Sequence, residues 1–477
     1  MAASVPRRAA FTSLVTGGKD TGCRIVTAAG NTPAAGSQFN ILKVAMFLNI
    51  ARPYPGWVSE AVAVQIGGRL LDLVFLSLCI ASLIRGRSVI VPARRGGWVI
   101  ALGTAVSLYS FFSLLYGMLV GGSAAEVRDF YEPFRPFLLL IALLAFHNDT
   151  AFADEKLWDH LWVGSLIAFA AVVFVNVTSA PVLSQVVTAF YGAAKDKFSI
   201  EGLVSRQTGF FSNPNWAGLY LSWVLAYLLF NRRLLKPSSL ALMLLTLLLI
   251  LATGSRTGLI CTVFTIGVWM MIRMTLRQLI IVYLGLLIVP LLAFNVEALV
   301  FLPKHLRELV TAVVQGGSLM EVATFRIRVE IWAQAINDYF YGSPLIGRGP
   351  FKGDVLDVID NQYVKWLIWY GLVGLALMLF FYGYIVRVAY NCLHHAASMQ
   401  VRRFAGTFFL MSCSLLLAGM TGAFFDVTQL VFLYIAMFGA LLRMASSSVP
   451  IGSGSRRDMT NTTPKLPVDE VAVPPPQ

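Results

Sequence analysis

Long, mostly apolar stretches recur along almost the whole chain, and no other feature limits its possible folds as strongly. A helix needs about 20 apolar residues to cross roughly 30 Å of hydrocarbon, where every backbone N–H and C=O must find a partner within the protein. Stretches of this kind place spans near 41–58, 64–84, 97–119, 134–147, 159–177, 210–230, 237–252, 256–273, 277–302, 361–386, 404–421 and 426–443. The expected fold class is therefore all-α, a polytopic membrane bundle of about twelve spans. Hydropathy leaves the ends open at the first span, which Pro53 and Pro55 interrupt, and at the short fourth and seventh. Of the 477 residues, 57% are apolar and only 13% charged, which argues against a water-soluble enzyme, a secreted disulfide scaffold or a single-pass receptor.

A net charge of +13 suits nucleic acid in a soluble protein, but here the cations fall in short clusters between apolar stretches, as orientation signals do, and no nucleic-acid partner is expected. Arg85, Arg87, Arg94 and Arg95, then Arg232, Arg233 and Lys236, then Arg273 and Arg277 mark alternate connections as cytoplasmic. Arg387, Arg402 and Arg403, and Arg443, Arg456 and Arg457, keep the same alternation; segment 148–158, with Lys156 against four acidic residues, departs from it. The expected organisation is a basic cytoplasmic tail at 1–40, spans one to nine over 41–302 and a large periplasmic loop with helices at 303–360. Spans ten to twelve follow over 361–443, and a disordered cytoplasmic tail at 444–477. Cys23, Cys79, Cys261, Cys392 and Cys413 lie far apart and read as apolar filling. The five histidines lack metal-ligand spacing and no nucleotide-binding loop is visible, so neither a metal nor a cofactor is expected.

Three segments on the expected outer face carry charges that orientation does not explain. The first, Ser205-Arg206-Gln207-Thr208-Gly209-Phe210-Phe211-Ser212-Asn213-Pro214-Asn215, leads into the sixth span. Arg206 offers a planar cationic fork for phosphate oxygens, and Asn213 and Asn215 offer amides for sugar hydroxyls; an Asn-Pro turn within an aromatic belt is the structural alternative. The second is Thr253-Gly254-Ser255-Arg256-Thr257-Gly258, where an arginine between two apolar stretches requires a partner, for which a bound anion is suitable. In the third, Phe325, Val329, Trp332, Ile336 and Phe340 recur at helical spacing, with Arg328 one turn from Trp332. That pattern also describes an ordinary amphipathic helix; Arg326, Arg348 and Lys352 add positive charge nearby. Asp360-Asn361 then opens the tenth span, as a helix cap, as a base for a sugar hydroxyl, or as both. Arg69 and Asp72 within the second span stand three residues apart, as ion pairs do, and so do Glu132 and Arg135 at the start of the fourth, either as a pair or as lining of the same outer cavity.

Taken in order, Arg206 with Asn213-Pro214-Asn215, Ser255-Arg256, Arg328 with Trp332, Pro344-Leu345-Ile346-Gly347-Arg348-Gly349, Asp360-Asn361 and Tyr370-Gly371-Leu372-Val373-Gly374 resemble the O-antigen ligase and O-antigen polymerase superfamily of bacterial membrane glycosyltransferases. The motifs cover roughly 200–375, and the pattern of spans extends the resemblance over most of the chain. The resemblance implies a GT-C-like fold in the bacterial inner membrane, both termini cytoplasmic, and a periplasmic active site. It implies a metal-independent glycosyltransferase that takes a preassembled glycan from an undecaprenyl diphosphate carrier. Catalytic roles then fall to Asp360, Arg206 and Arg256, and substrate contacts to Arg328, Asn213, Asn215, Trp332, Asn361 and Arg348. Ligases joining O-antigen to lipid A-core usually carry His where Asp360 stands. The expectation is thus a polymerase of exopolysaccharide, capsule or O-antigen, with lipopolysaccharide ligation the alternative and a lipid-linked glycan flippase a more distant one. The implied partners are the lipid-linked oligosaccharide, membrane lipids, a chain-length regulator and a repeat-unit flippase.

Overall fold

The computed structural model describes residues 41–50, 68–85, 94–122, 126, 129–178, 182–183, 185–187, 206–232, 236–280, 323–351 and 359–447. The expected basic tail, most of the ninth span, residues 303–322 of the long connection, Cys23, Lys352 and the side chains of Arg69 and Phe325 lie outside the described residues.

The described chain is helical. In order the helices are α1 (Ile41–Ile50), α2 (Gly68–Arg85), α3 (Arg94–Leu119), α4 (Tyr131–Asn148), α5 (Glu155–Thr178), α6 (Pro214–Asn231), α7 (Pro237–Thr253), α8 (Arg256–Arg273), α9 (Ala323–Ala335), α10 (Gln362–His395), α11 (Met399–Gly419) and α12 (Thr428–Ser447). Six of these are long and apolar enough to cross a membrane: α5, α8, α10, α11 and, over Gly96–Leu119 and Thr428–Ser446, α3 and α12. The chain is a multi-pass membrane protein. The shorter α7 is apolar throughout, and α2, α4 and α6, of 18 residues each, fall where the second, fourth and sixth spans are expected.

Two features differ from the sequence expectation. α12 continues to Ser447, past the expected end of the twelfth span at 443; Met444 is buried and the Ser446 hydroxyl donates to Arg443 O. The tenth span is longer than 361–386, running from Gln362 to His395, with a break at Gly371 (φ 63°, ψ −169°).

Burial separates central from lipid-facing helices. α12 buries 83% of its most apolar stretch and α11 67%, whereas α5 and α8 bury 33% each, leaving residues such as Phe174 and Val263 on the outside. Apolar surface of that kind is stable against lipid and unfavourable in water. α6 is almost wholly enclosed, packing against α7, α8 and α11. At the α6–α8 crossing Gly218 meets Gly258 so closely that a Cβ on either would lie within 2.8 Å of the other's Cα. α4 packs between α3, α2 and α12, and α10 against α3 and α11.

Hydrogen bonds show which helix ends lie together. At one end Arg232 pairs with Asp159, and Asn231 donates to the Thr407 hydroxyl at 2.9 Å. Asp159, just after the acidic 148–158 segment, thus partners a cation of the 232–236 cluster. The starts of α2, α4, α6, α8, α10 and α12 are linked at the other end.

Candidate active site at the linked helix ends

α7 and α8 are joined by Gly254 and Ser255 alone. Gly254 adopts the left-handed conformation (φ 58°) that closes α7, and the Ser255 hydroxyl accepts from Gly258 N at 2.9 Å to open α8. α6 opens in the same manner: Asn213 accepts from Asn215 N at 2.8 Å, and Pro214 sits where its missing N–H costs nothing. Asn215 Oδ1 then accepts from the Ser255 hydroxyl at 2.9 Å and from Arg206 Nη2 at 3.4 Å. Arg206 Nε donates to Thr253 O at 3.2 Å, and Gln207 N to Ala252 O at 3.1 Å. The segment before α6 is in this way fastened to the α7–α8 turn, and Arg206 is held beside Arg256, the first residue of α8.

The third arginine arrives from the long connection. α9 spans Ala323–Ala335 and widens into a π-helical turn at Ile336–Phe340, with Ile331, Trp332 and Tyr339 packed on the core. Arg328 Nε lies 2.7 Å from Asp360 Oδ2, and Trp332 Nε1 donates to Asp360 Oδ1 at 3.3 Å. Arg328 and Trp332 share a helix face, as their spacing requires, and both point at one carboxylate. Asp360 does not cap α10. That role belongs to Asn361, whose Oδ1 accepts from Tyr363 N at 2.9 Å and Val364 N at 3.1 Å while its Nδ2 donates to Met420 O at 3.1 Å.

These groups lie close enough to act on one another electrostatically. Burial, and then the positive charges of Arg256 and Arg328, push the pKa of Arg206 down. Burial raises the Asp360 carboxyl above its ordinary range, while Arg328 and the Trp332 hydrogen bond pull it back. Arg256 opens α8, Arg206 reaches Asn215 in the first turn of α6, and Arg328 on α9 is close enough to act on Arg206; such a gathering of positive charge is unfavourable in isolation and suited to an anion.

A second charged group adjoins the first. Lys365 Nζ sits 2.6 Å from Asp426 Oδ2 and 4.3 Å from the Trp369 ring; Asp426 Oδ1 is 3.4 Å from Arg135 Nη1, which is 3.5 Å from Glu132. Asp72 accepts from Tyr131 at 3.1 Å and from Thr428 at 3.2 Å, and Thr257, next to Arg256, shares a 2.8 Å hydrogen bond with Thr421. The α11–α12 connection thereby holds the starts of α2, α4, α8 and α10 together.

Of the residues singled out in the sequence, Arg206, Arg256, Arg328, Trp332 and Asp360 converge. Asn213 and Asn361 are occupied as helix caps, and Asn215 braces Arg206 and Ser255. Arg348 lies 4.6 Å over the Tyr339 ring, between the 344–349 segment and the π-helical turn. Glu132 and Arg135 pair as their spacing suggests. Lys365, Asp426 and the Thr257–Thr421 pair were not singled out, although a charge inside an expected span was the signal available for Lys365 and Asp426.

Fold and site together define a multi-pass helical membrane protein with a cationic, carboxylate-bearing cluster at one end of its bundle. Residues 241–381 match the model of the O-antigen ligase family, to which this part of the chain is similar. The match runs from α7 into α10, taking in Arg256, Arg328, Trp332, Arg348, Asp360 and Asn361 and leaving Arg206, Asn213 and Asn215 upstream. Enzymes of that family are ligases or polymerases that transfer lipid-linked glycans. No curated protein matches the chain.

Proposed function

We propose that the protein is a polysaccharide polymerase of the bacterial inner membrane. It transfers a glycan from an undecaprenyl diphosphate carrier to a hydroxyl of another lipid-linked repeat unit at the periplasmic face, with both termini cytoplasmic. The acceptor oxygen attacks the anomeric carbon as the bond from that carbon to the diphosphate oxygen breaks. Undecaprenyl diphosphate departs with the bonding electrons, and the acceptor proton passes to the Asp360 carboxylate. Arg206 and Arg256 are placed to hold the diphosphate as its negative charge develops, a preorganised electrostatic role. Arg328 fixes Asp360 and keeps it ionised, and Trp332 Nε1 fixes the other carboxylate oxygen. Burial makes Asp360 a stronger base than a free carboxylate.

The observation that carries this reading is the Arg328–Asp360–Trp332 contact beside two further arginines: a base and an anion holder within one cluster. Asp360 also supports polymerisation over ligation to lipid A-core, in which a His is usual at that position. Ligation remains the second reading, favoured by the family matched over 241–381.

Purified protein given synthetic undecaprenyl diphosphate repeat units is expected to yield longer lipid-linked chains. Translocation without elongation, or attachment to lipid A-core alone, overturns the polymerase reading. Asp360→Asn, which leaves the Asn361 cap in place, is expected to lower the elongation rate by about 10²–10⁴-fold, the range for loss of a general base, in protein that inserts normally.

A further inference from the structure

Two glycine-bearing motifs, 344–349 and 370–374, meet in the fold. α10 breaks at Gly371, and a broken helix leaves carbonyls and N–H groups that must be paired away from water. The 344–349 segment pairs them. Leu372 N donates to Pro344 O at 2.9 Å, Val373 N to Leu345 O at 3.2 Å, Arg348 N to Ile368 O at 2.9 Å and Gly349 N to Trp369 O at 2.9 Å.

Two hydroxyls from α3 complete the joint. That of Tyr109 is 3.0 Å from Tyr370 O and 3.3 Å from Leu345 O; that of Ser113 is 2.7 Å from Trp369 O and 3.0 Å from Ile346 O. Each therefore bridges one carbonyl of the break and one of the strap. Tyr109, Ser113 and Gly117 are spaced by four and share a face of α3. At Gly117 an added Cβ would lie 1.8 Å from Arg348 O, so this third position is kept bare for the strap. The strap runs back through the π-helical turn to α9, and Arg348 over Tyr339 ties the two pieces together.

We propose that Tyr109 and Ser113 are positioning residues: by fastening the 344–349 strap to the break in α10, they hold Arg328 and Trp332 on Asp360. Only the activity arm of the test rests on the transfer reading above.

Tyr109→Phe, Ser113→Ala and the double variant are compared with the parent by amide hydrogen exchange, thermal unfolding and, where the parent elongates chains, the pH dependence of the rate. Faster exchange across 323–349 at an unchanged unfolding temperature is expected. Exchange equal to the parent's overturns the inference whether or not the protein elongates glycans, whereas a parent that elongates nothing overturns the transfer reading alone. Among the described residues Arg328 is the charged group in contact with Asp360, and Trp332 is its other side-chain partner. Loosening them is expected to shift the acidic limb of the rate profile to higher pH. It should also lower kcat by about 10- to 100-fold with KM for the acceptor nearly constant, the scale of an ångström-sized misplacement. Lost activity with an unmoved limb overturns the positioning role. Should the double variant fail to fold, Ser113→Ala, which retains the Tyr109 bridge, gives the same readouts.

Discussion

At the level of single residues, Asp360 is balanced between burial, which disfavours its charge, and Arg328, which favours it. A base must be ionised to act, so the acidic limb of the rate is expected above 3.8, the ordinary carboxyl value. Arg328→Gln removes the charge that lowers this pKa, and the limb is expected to move further to alkaline pH; a limb that stays in place or moves acidic contradicts the Asp360 assignment. These residues were legible because a cation or carboxylate in so apolar a chain requires a reason. Lys365 and Asp426 were not, because they meet across 61 residues of sequence and each alone resembles a polar residue at a span end. Nor did the sequence distinguish which of Asp360 and Asn361 caps α10, since both side chains are good caps and only the geometry separates them.

Among the elements, the spans expected at 210–230, 237–252 and 256–273 lie close to α6, α7 and α8, and the structure supplies Asn213, Gly254 and Ser255 as the caps at their ends. The break in α10 was hidden, because Tyr370-Gly371-Leu372 continues an apolar stretch and hydropathy does not register a single dihedral. Gly371→Ala tests the break. A side chain there is forced to positive φ with extended ψ, a region almost reserved to glycine, and its Cβ would approach Leu345 O to 2.3 Å. Backbone strain of that kind alone costs about 1–3 kcal/mol, so a loss of stability of at least that size is expected in thermal or denaturant unfolding. The π-helical turn at Ile336–Phe340 also escaped the periodicity, which carried one helix straight through it.

For the whole molecule, an all-α membrane bundle was plain from the apolar stretches, while the number of crossings was not: α2, α4 and α6 lie where spans are expected, yet six helices meet the length and hydropathy of a span. What makes the helix ends a single site is the α11–α12 connection, through Asp426 above all. Asp426→Ala leaves the Lys365 and Arg135 side chains, 7% and 9% exposed, without their shared carboxylate. Removing one partner of a buried ion pair costs about 3–5 kcal/mol, and a destabilisation of that order is expected in unfolding of the detergent-solubilised protein. The central claim is that the guanidiniums of Arg256 on α8 and of Arg206 before α6 jointly hold a diphosphate. Its most direct test is the affinity of undecaprenyl diphosphate for the purified parent and for the Arg206→Ala and Arg256→Ala variants. At least tenfold weaker binding is expected in each variant, and affinities equal to the parent's in both would contradict the claim.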